Sequence, residues 1–99
     1  MLGYFTIFGW VFQRTLLKDN KAKIAIFRRL NRVRQGNFGD HKALGDGLYE
    51  LRFTIGAGYR IYYMQKGDAI VILLAGGDKS SQTKDIEKAK ELMKEYKDG

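Results

Sequence analysis

The chain has 99 residues, of which 44% are hydrophobic and 29% charged, and its net charge is +7 at pH 7. This length suits one domain with a single core, predicted over residues 1–99, and the apolar content excludes a disordered chain. The absence of cysteine and the presence of one histidine, His41, exclude disulfides, thiolate chemistry and a zinc site built from several histidines. Lack of cysteine fits a reducing cytoplasm, which is the expected location.

The N-terminal segment MLGYFTIFGWVF is hydrophobic but has neither the basic start nor the cleavage site of a signal peptide. Gln13 and Arg14 interrupt it too early for a membrane span. We interpret the segment as a first strand followed by a helix over about residues 10–17.

A second helix is predicted over residues 20–36, where Gly36 can end it and apolar residues recur at helical spacing: Ile26, Phe27, Leu30 and Val33. It would form a helical hairpin with the first. This stretch also carries the excess charge. Between residues 14 and 34 the one acid is Asp19, against eight basic residues: Arg14, Lys18, Lys21, Lys23, Arg28, Arg29, Arg32 and Arg34. Such a block is typical of a surface for a polyanion or an acidic protein, and its arginines favour phosphate; a solvated helix face is the alternative.

The rest of the chain is predicted to be mainly sheet. GNFGDHKALGDG (36–47) predicts a loop, LYELRFTIGAGYRIYY (48–63) a hairpin that turns at 56–58, and AIVILLA (69–75) a strand buried on both faces. A last helix follows, with Ser80 or Ser81 as its N-cap and an inner stripe of Ile86, Ala89, Met93 and Tyr96. The predicted fold is α+β: an N-terminal strand and a helical hairpin packed on an antiparallel sheet, with a C-terminal helix.

Two arginines of the hairpin form a candidate anion site. With a three-residue turn, Arg52 and Arg60 become diagonal neighbours on the polar face, roughly 7–8 Å apart at the backbone, and Tyr62 stands opposite Arg52. Both guanidinium groups would then reach one phosphate. The alternative is that each arginine pairs with Glu50 or with an acid near the C-terminus, as single surface arginines usually do.

Further polar residues are candidates for the same site. Lys79 follows the buried strand in a glycine-rich turn before a helix N-terminus, where backbone N–H groups favour an anion. Lys42, with His41 beside it, lies in the segment that leads into the hairpin. No cluster of carboxylates is predicted on the polar face, so we expect neither a metal site nor a cofactor.

Several motifs in order resemble a known family: LLKDNKAKIAIFRRLNRVRQ, GNFGDHKALGDGLYELRFTIGAGYRIYY and VILLAGGDKSSQTKDIEKAKEL. They are similar to the HigB-like branch of the RelE/ParE toxin superfamily, the addiction module killer proteins of type II toxin–antitoxin systems. The resemblance covers about residues 16–96. It implies a RelE-like fold and cleavage of messenger RNA, typically on the ribosome, by attack of the RNA's own 2′-OH without a metal.

The resemblance also implies roles for the residues. Arg52 and Arg60 would stabilise transition-state charge, and Lys79 and Lys42 would do the same or act as general acids. The candidate general bases are His41, Asp78 and Asp85. RNA contacts would come from Tyr62 and the basic helix, through Lys23, Arg28, Arg29 and Arg32.

The implied partners are a cognate antitoxin of the helix-turn-helix, HigA-like type, messenger RNA and the ribosome. No membrane partner is expected, and a homodimer or a toxin–antitoxin heterotetramer is compatible with the family. Two other functions stay open. ParE-like relatives inhibit DNA gyrase by protein contact and largely lack the cationic cluster. A non-catalytic nucleic-acid-binding module would use the same cations only to hold a backbone.

Overall fold

A computed structural model describes residues 4–7, 18–55, 58–67, 69–77 and 79–98, with the backbone alone for residues 4–7 and for Lys79. The helix predicted over residues 10–17 and the candidate base Asp78 lie outside the described residues. No helix in the described part of the chain is long and apolar enough to cross a membrane.

The described elements confirm the α+β class. In chain order they are β1 (Tyr4–Ile7), α1 (Asn20–Arg34), β2 (His41–Gly45), β3 (Leu48–Arg52), β4 (Arg60–Lys66), β5 (Ala69–Gly76), a 3₁₀ turn (Lys79–Ser81) and α2 (Gln82–Asp98). The strands form one sheet in the order β1-β5-β4-β3-β2. β1 runs parallel to β5, and the other neighbouring pairs are antiparallel.

Helix α1 begins at a side-chain cap and buries one stripe. The Asp19 carboxylate accepts a hydrogen bond of 3.0 Å from the backbone N–H of Ala22, which satisfies a donor that the first turn leaves free. The buried residues are Ala22, Ile26, Leu30 and Val33. The prediction that Phe27 belongs to this stripe is wrong, because Phe27 is turned about 100° from Ile26 around the helix axis and is 69% exposed.

The loop predicted over residues 36–47 contains a strand, β2, and this part of the prediction is wrong. Asp46 and Gly47 have φ values of 57° and 87°, the left-handed conformation that a two-residue hairpin turn requires. They connect β2 to β3. The side chains of β2 are mostly exposed, as expected of an edge strand, so the strand shows no apolar alternation in the sequence.

The β3–β4 hairpin is confirmed, but its predicted register is wrong by two residues. Arg52 pairs with Arg60, and the chain turns through a hydrogen bond of 3.1 Å from Gly58 N–H to the Ile55 carbonyl. The closing backbone bond, Phe53 N–H to the Tyr59 carbonyl, is 2.9 Å long. The connection is therefore longer than the three residues predicted. An even shift leaves each side chain on its predicted face, because the side-chain period of a strand is two.

Among the described elements, one helix packs on each face of the sheet. Helix α1 packs on the face that carries Leu51, Phe53, Tyr59, Ile61 and Tyr63. Helix α2 covers the other face with its predicted stripe and Leu92, against residues that include Leu48, Tyr62 and Met64. Every residue of β5 is buried, as predicted for a strand covered on both sides. The predicted polar face of the hairpin is consequently partly covered by α2.

Candidate active site

Charged residues and one tyrosine form two rows across the α2-facing side of the sheet. In one row Lys42, Glu50 and Tyr62 stand opposite one another on β2, β3 and β4. In the next row Arg52 stands opposite Arg60, whose partner on β5 is Gly76. Opposite residues of antiparallel strands point to the same face with Cβ atoms about 5 Å apart. The register thus places four of the predicted site residues on one face: Lys42, Arg52, Arg60 and Tyr62.

Arg52 lies between two acids. Its Nε and Nη2 atoms donate to one carboxylate oxygen of Asp40, at 3.2 and 2.8 Å. Its Nε is also 4.0 Å from Oε1 of Glu50. The side chains differ in exposure, since Asp40 is 52% exposed and Glu50 is fully buried. The ion pair with Glu50, which the sequence left open as an alternative, is therefore the longer of two contacts.

Tyr62 lies beneath α2 and away from the surface. Its side chain is fully buried, so in this conformation its ring has no exposed face for stacking on a base. Burial raises the pKa of the Tyr62 hydroxyl; the carboxylates of Glu50 and Asp85 raise it further, and Arg60 lowers it slightly. The phenol therefore stays protonated at neutral pH. Both carboxylates and Arg60 lie close enough to act on this hydroxyl.

Three buried polar atoms of this region have no hydrogen-bond partner among the described residues. They are Oε1 of Glu50, Nε of Arg60 and the hydroxyl of Tyr62. Buried polar atoms are nearly always paired, because an unpaired one loses its hydration without compensation. Three such atoms in adjacent register positions make this region the candidate site, since an apolar core would fold at lower cost.

The start of α2 covers these atoms and contributes two polar side chains. Gln82 Nε2 donates to Oε2 of Glu50 at 3.3 Å. Asp85 accepts a hydrogen bond of 2.8 Å from the Ser81 hydroxyl. Asp85 also lies so close to the sheet that a Cβ on Gly76 would be 2.5 Å from its Oδ2. Glycine at position 76 therefore lets the helix bring this carboxylate next to Tyr62.

A second basic feature lies on the α1 side of the hairpin end. An open groove of about 380 Å³ has four arginines in its lining, Arg28, Arg29, Arg32 and Arg52, and Asp40 as its acid. Residues Phe53, Thr54 and Ile55 contribute the sheet side of the groove. Three arginines predicted to bind RNA thus line the same groove as Arg52.

The arginines of the groove have different roles in the fold. Arg29 donates to three backbone carbonyls, those of Phe38, Asp40 and Arg52. Its guanidinium carbon also lies 4.7 Å from the centre of the Phe53 ring. Burial lowers the pKa of Arg29, and Asp40 partly offsets that effect. Arg28 and Arg32 are exposed, and no ion pair is seen for either among the described residues.

The other predicted site residues lie away from the Arg52–Arg60 pair or have side chains that the structure does not describe. His41 pairs with Leu51 in the register, so it faces the α1 side, and its Nδ1 is 3.0 Å from the Gly39 carbonyl. Lys23 lies on α1, half-buried, near the N-terminal end. The backbone of Lys79 begins the 3₁₀ turn before α2, and its side chain is outside the description.

Asp40, Glu50 and Gln82 contact the site but are not among the site residues predicted from the sequence. Alternation along β3 places Glu50 on the same face as Arg52, and β5 is recognisable as a strand covered on both faces. Neither pattern shows that α2 reaches across that face as far as Glu50. Among the described residues, no group of three His, Asp or Glu side chains is arranged to hold a metal ion.

Comparison with known proteins identifies a family. The family model described as Phage derived protein Gp49-like (DUF891) matches residues 17–94. A Haemophilus influenzae protein named "Uncharacterized protein" is 51% identical over 79 residues, which cover 80% of this chain and 80% of that protein. No solved structure matches the chain significantly.

Proposed function

Because the chain belongs to the phage-derived Gp49-like family, which is associated with toxin–antitoxin systems, we propose that it is the toxin of a type II pair and an endoribonuclease. Within the toxins we assign it to the HigB-like branch of the RelE/ParE superfamily, with messenger RNA on the ribosome as substrate. The observation that carries the proposal is the direct pairing of Arg52 with Arg60 across β3 and β4.

The arginine pair fits a phosphate ligand. Like charges directly opposite each other destabilise a sheet, so two arginines in register are an unfavourable choice for folding alone. A phosphate group removes the repulsion, because its oxygens accept hydrogen bonds from both guanidinium groups. The groove lined by Arg28, Arg29 and Arg32 continues the positive surface from Arg52 towards α1. This continuity supports a polyanion such as RNA over a single small anion.

The proposed reaction uses the nucleophile that RNA already contains. The 2′-oxygen forms a bond to the adjacent phosphorus while the bond to the 5′-oxygen of the next nucleotide breaks. A base takes the proton of the 2′-OH, and an acid gives a proton to the leaving 5′-oxygen. The products carry a 2′,3′-cyclic phosphate and a 5′-OH. Arg52 and Arg60 stabilise the additional negative charge on the phosphate oxygens during the transfer.

The proton carriers are part of the proposal. Lys42 is exposed on the same face as the arginine pair, and Lys79 is next to the start of α2, so both remain candidates for the acid. His41 is less suited to the base because it faces the other side of the sheet. Asp85 is held beside Tyr62 and remains the other described candidate for the base.

The proposed partner that controls the toxin is an antitoxin protein. Helix α1 exposes Phe27 by 69% and Ile24 by 52% on a surface that otherwise carries basic side chains. Apolar and basic side chains together suit an acidic amphipathic segment of a partner. This surface supports contact between the antitoxin and α1, and it adjoins the arginine groove.

The proposal is tested in bacteria by inducing the chain without an antitoxin and mapping 5′ ends of messenger RNA over time. The test variant is Arg52→Gln with Arg60→Gln. The matched control is Lys94→Gln with Lys97→Gln, which removes the same charge from the far end of α2. We expect new ends inside coding regions with the unmodified chain and the control, and a strong reduction with the test variant.

Other outcomes would assign another function. Growth arrest without new ends but with altered plasmid supercoiling would move the protein to the gyrase-inhibitor class. RNA binding that is lost in the arginine variant, with no cleaved product in any condition, would leave a non-catalytic binding module.

A further inference from the structure

We propose that Glu50 is a positioning residue that holds Arg52 for a phosphate, and that Asp40 is the exchangeable acid that occupies Arg52 until the phosphate binds. The inference rests on the proposed function, because the phosphate is that of the RNA. Both carboxylates lie near Arg52, but Glu50 is buried whereas Asp40 is exposed.

Glu50 is unusual for its position. Among the described residues it is the one buried side chain that carries a charge, at 0% exposure. Burying a carboxylate is costly unless charged or hydrogen-bonding groups compensate for its lost hydration. A β-branched apolar residue would suit the strand and the neighbouring core of Leu48, Met64 and Leu92 better. A carboxylate that folding alone disfavours at such a place is a candidate for a role in the site.

The two oxygens of Glu50 have different surroundings. Oε2 accepts a hydrogen bond from Gln82 on α2, which fixes the carboxylate. Oε1 has no hydrogen bond among the described residues and lies 4.0 Å from Nε of Arg52. A small movement of the guanidinium towards the sheet therefore converts this contact into a charge-assisted hydrogen bond. Glu50 is thus already placed to receive Arg52 when its present partner leaves.

Asp40 is that present partner. Both of its side-chain contacts with Arg52 use one oxygen, and the side chain is about half exposed. Its backbone is fixed, because its carbonyl accepts hydrogen bonds from Arg29 and from the N–H of Arg52. The carboxylate therefore stays near Arg52 but competes with water and dissolved anions. An exposed ion pair of this kind is weak and screened by salt.

The order of events on binding follows from the difference in exposure between Asp40 and Glu50. A phosphate that approaches Arg60 and the groove displaces Asp40 from the exposed side of Arg52. Glu50 then holds the guanidinium from the buried side, opposite Arg60, so that both arginines face the same phosphate. Asp40 lowers affinity for anions, whereas Glu50 determines where the bound arginine sits.

The test compares Asp40→Asn with Glu50→Gln, which each remove one negative charge beside Arg52 and keep the size of the side chain. A purely electrostatic account predicts the same effect for both, namely tighter anion binding. Our proposal predicts different effects. Glu91→Gln is the control, since Glu91 pairs with Lys88 on the exposed side of α2.

The first measurement follows the Arg52 Nε–Hε signal by NMR while inorganic phosphate is titrated into the full chain. At saturation we expect one sharp signal in the unmodified chain, in Asp40→Asn and in Glu91→Gln, and a broadened or split signal in Glu50→Gln. Asp40→Asn should bind phosphate up to about fivefold more tightly, the ratio that corresponds to loss of an exposed ion pair. Equal signals in both test variants would overturn the proposal, whether or not the chain cleaves RNA.

The second measurement is cleavage of a messenger RNA in a reconstituted translation reaction. We expect Glu50→Gln to lower kcat by about 10-fold to 100-fold, as for a misplaced catalytic group, with KM changed by less than about twofold and an unchanged or higher melting temperature. Asp40→Asn should lower KM and keep kcat. A melting temperature of Glu50→Gln that falls together with its activity would make Glu50 a structural residue and contradict the proposal. Absence of cleavage by the unmodified chain would contradict the proposed function instead.

Discussion

The two faces of the sheet carry their charges in different ways. On the α1 side the arginines lie along an open groove, and one of them, Arg29, is bound to backbone carbonyls. On the α2 side, acids, arginines and a tyrosine meet beneath a helix, and three of their polar atoms are buried and unpaired. Charges at the surface act over long distances and weaken with salt, whereas buried groups act through contact and geometry. Under the proposed function we therefore expect the first face mainly to bind RNA and the second face mainly to carry the chemistry.

The largest expected effect on stability is a difference between two adjacent arginines of the α1 side, Arg29 and Arg28. Arg29→Gln should lower the free energy of unfolding by about 2–3 kcal/mol, because it removes a charged donor from the partly buried carbonyls of Phe38 and Arg52. Arg28→Gln should change the free energy of unfolding by less than about 0.5 kcal/mol, since that side chain is exposed. Urea denaturation of both variants checks this. Equal losses would show that the groove arginines have one common role.

The close approach of α2 to the sheet gives a second prediction. Gly76→Ala should destabilise the protein by about 1–2 kcal/mol, because the new Cβ meets Asp85 and the Tyr62 ring. Adding Asp85→Ala should recover part of the loss by removing the carboxylate. Thermal unfolding of the two single variants and the double variant measures this coupling. Simple additivity of the two losses would contradict the contact.

The sequence predicted the two faces better than it predicted their details. Helix α1 and strand β5 were recognisable because their apolar patterns are long and regular. The register of the hairpin was wrong by two residues, but the shift kept Arg52, Arg60 and Tyr62 on one face, because strands have a period of two.

Two features were missed for definite reasons. Strand β2 is an exposed edge strand without alternation, and only Asp46-Gly47 marks it as half of a hairpin. Burial of Glu50 depends on where α2 crosses the sheet, and that crossing is a tertiary contact with no local sequence signal.

Two buried tyrosines give a third prediction, which compares the faces directly. Tyr59, on the α1 side, donates to Asp19 at 3.2 Å, whereas the Tyr62 hydroxyl has no partner among the described residues. Tyr59→Phe should therefore lower the free energy of unfolding by about 1 kcal/mol, and Tyr62→Phe should leave it unchanged or raise it. Chemical denaturation at about pH 8 checks the order of the variants.

Tyr62 also predicts that the stability of the protein depends on pH in the alkaline range. Burial raises the pKa of Tyr62 in the folded state, so above about pH 10 the unfolded chain loses a proton that the folded chain retains. This favours unfolding, and the stability that is present below that pH falls as the pH rises further. Tyr62→Phe should lose less stability over this range than the unmodified chain. The same decline in both proteins would show that Tyr62 has the same pKa in the folded and the unfolded state.

The smallest expected effect concerns the groove. Arg28→Gln with Arg32→Gln should reduce the slope of log affinity for single-stranded RNA against log salt by about 1.4, or 0.7 for each lost phosphate contact. Binding titrations at several salt concentrations measure the slope, and Lys94→Gln with Lys97→Gln is the control of equal charge. An equal reduction in the control would show that net charge, and not the groove, attracts the RNA.

The most direct test of the central claim is the chemistry of the fragment ends. The unmodified chain is added to a translating messenger RNA, and the new ends are analysed for their terminal groups. Attack by the 2′-OH, stabilised by Arg52 and Arg60, predicts a 2′,3′-cyclic phosphate on one fragment and a 5′-OH on the other, and no cleavage where the scissile nucleotide is 2′-deoxy. Fragments with a 5′-phosphate, or cleavage of the 2′-deoxy substrate, would contradict the account.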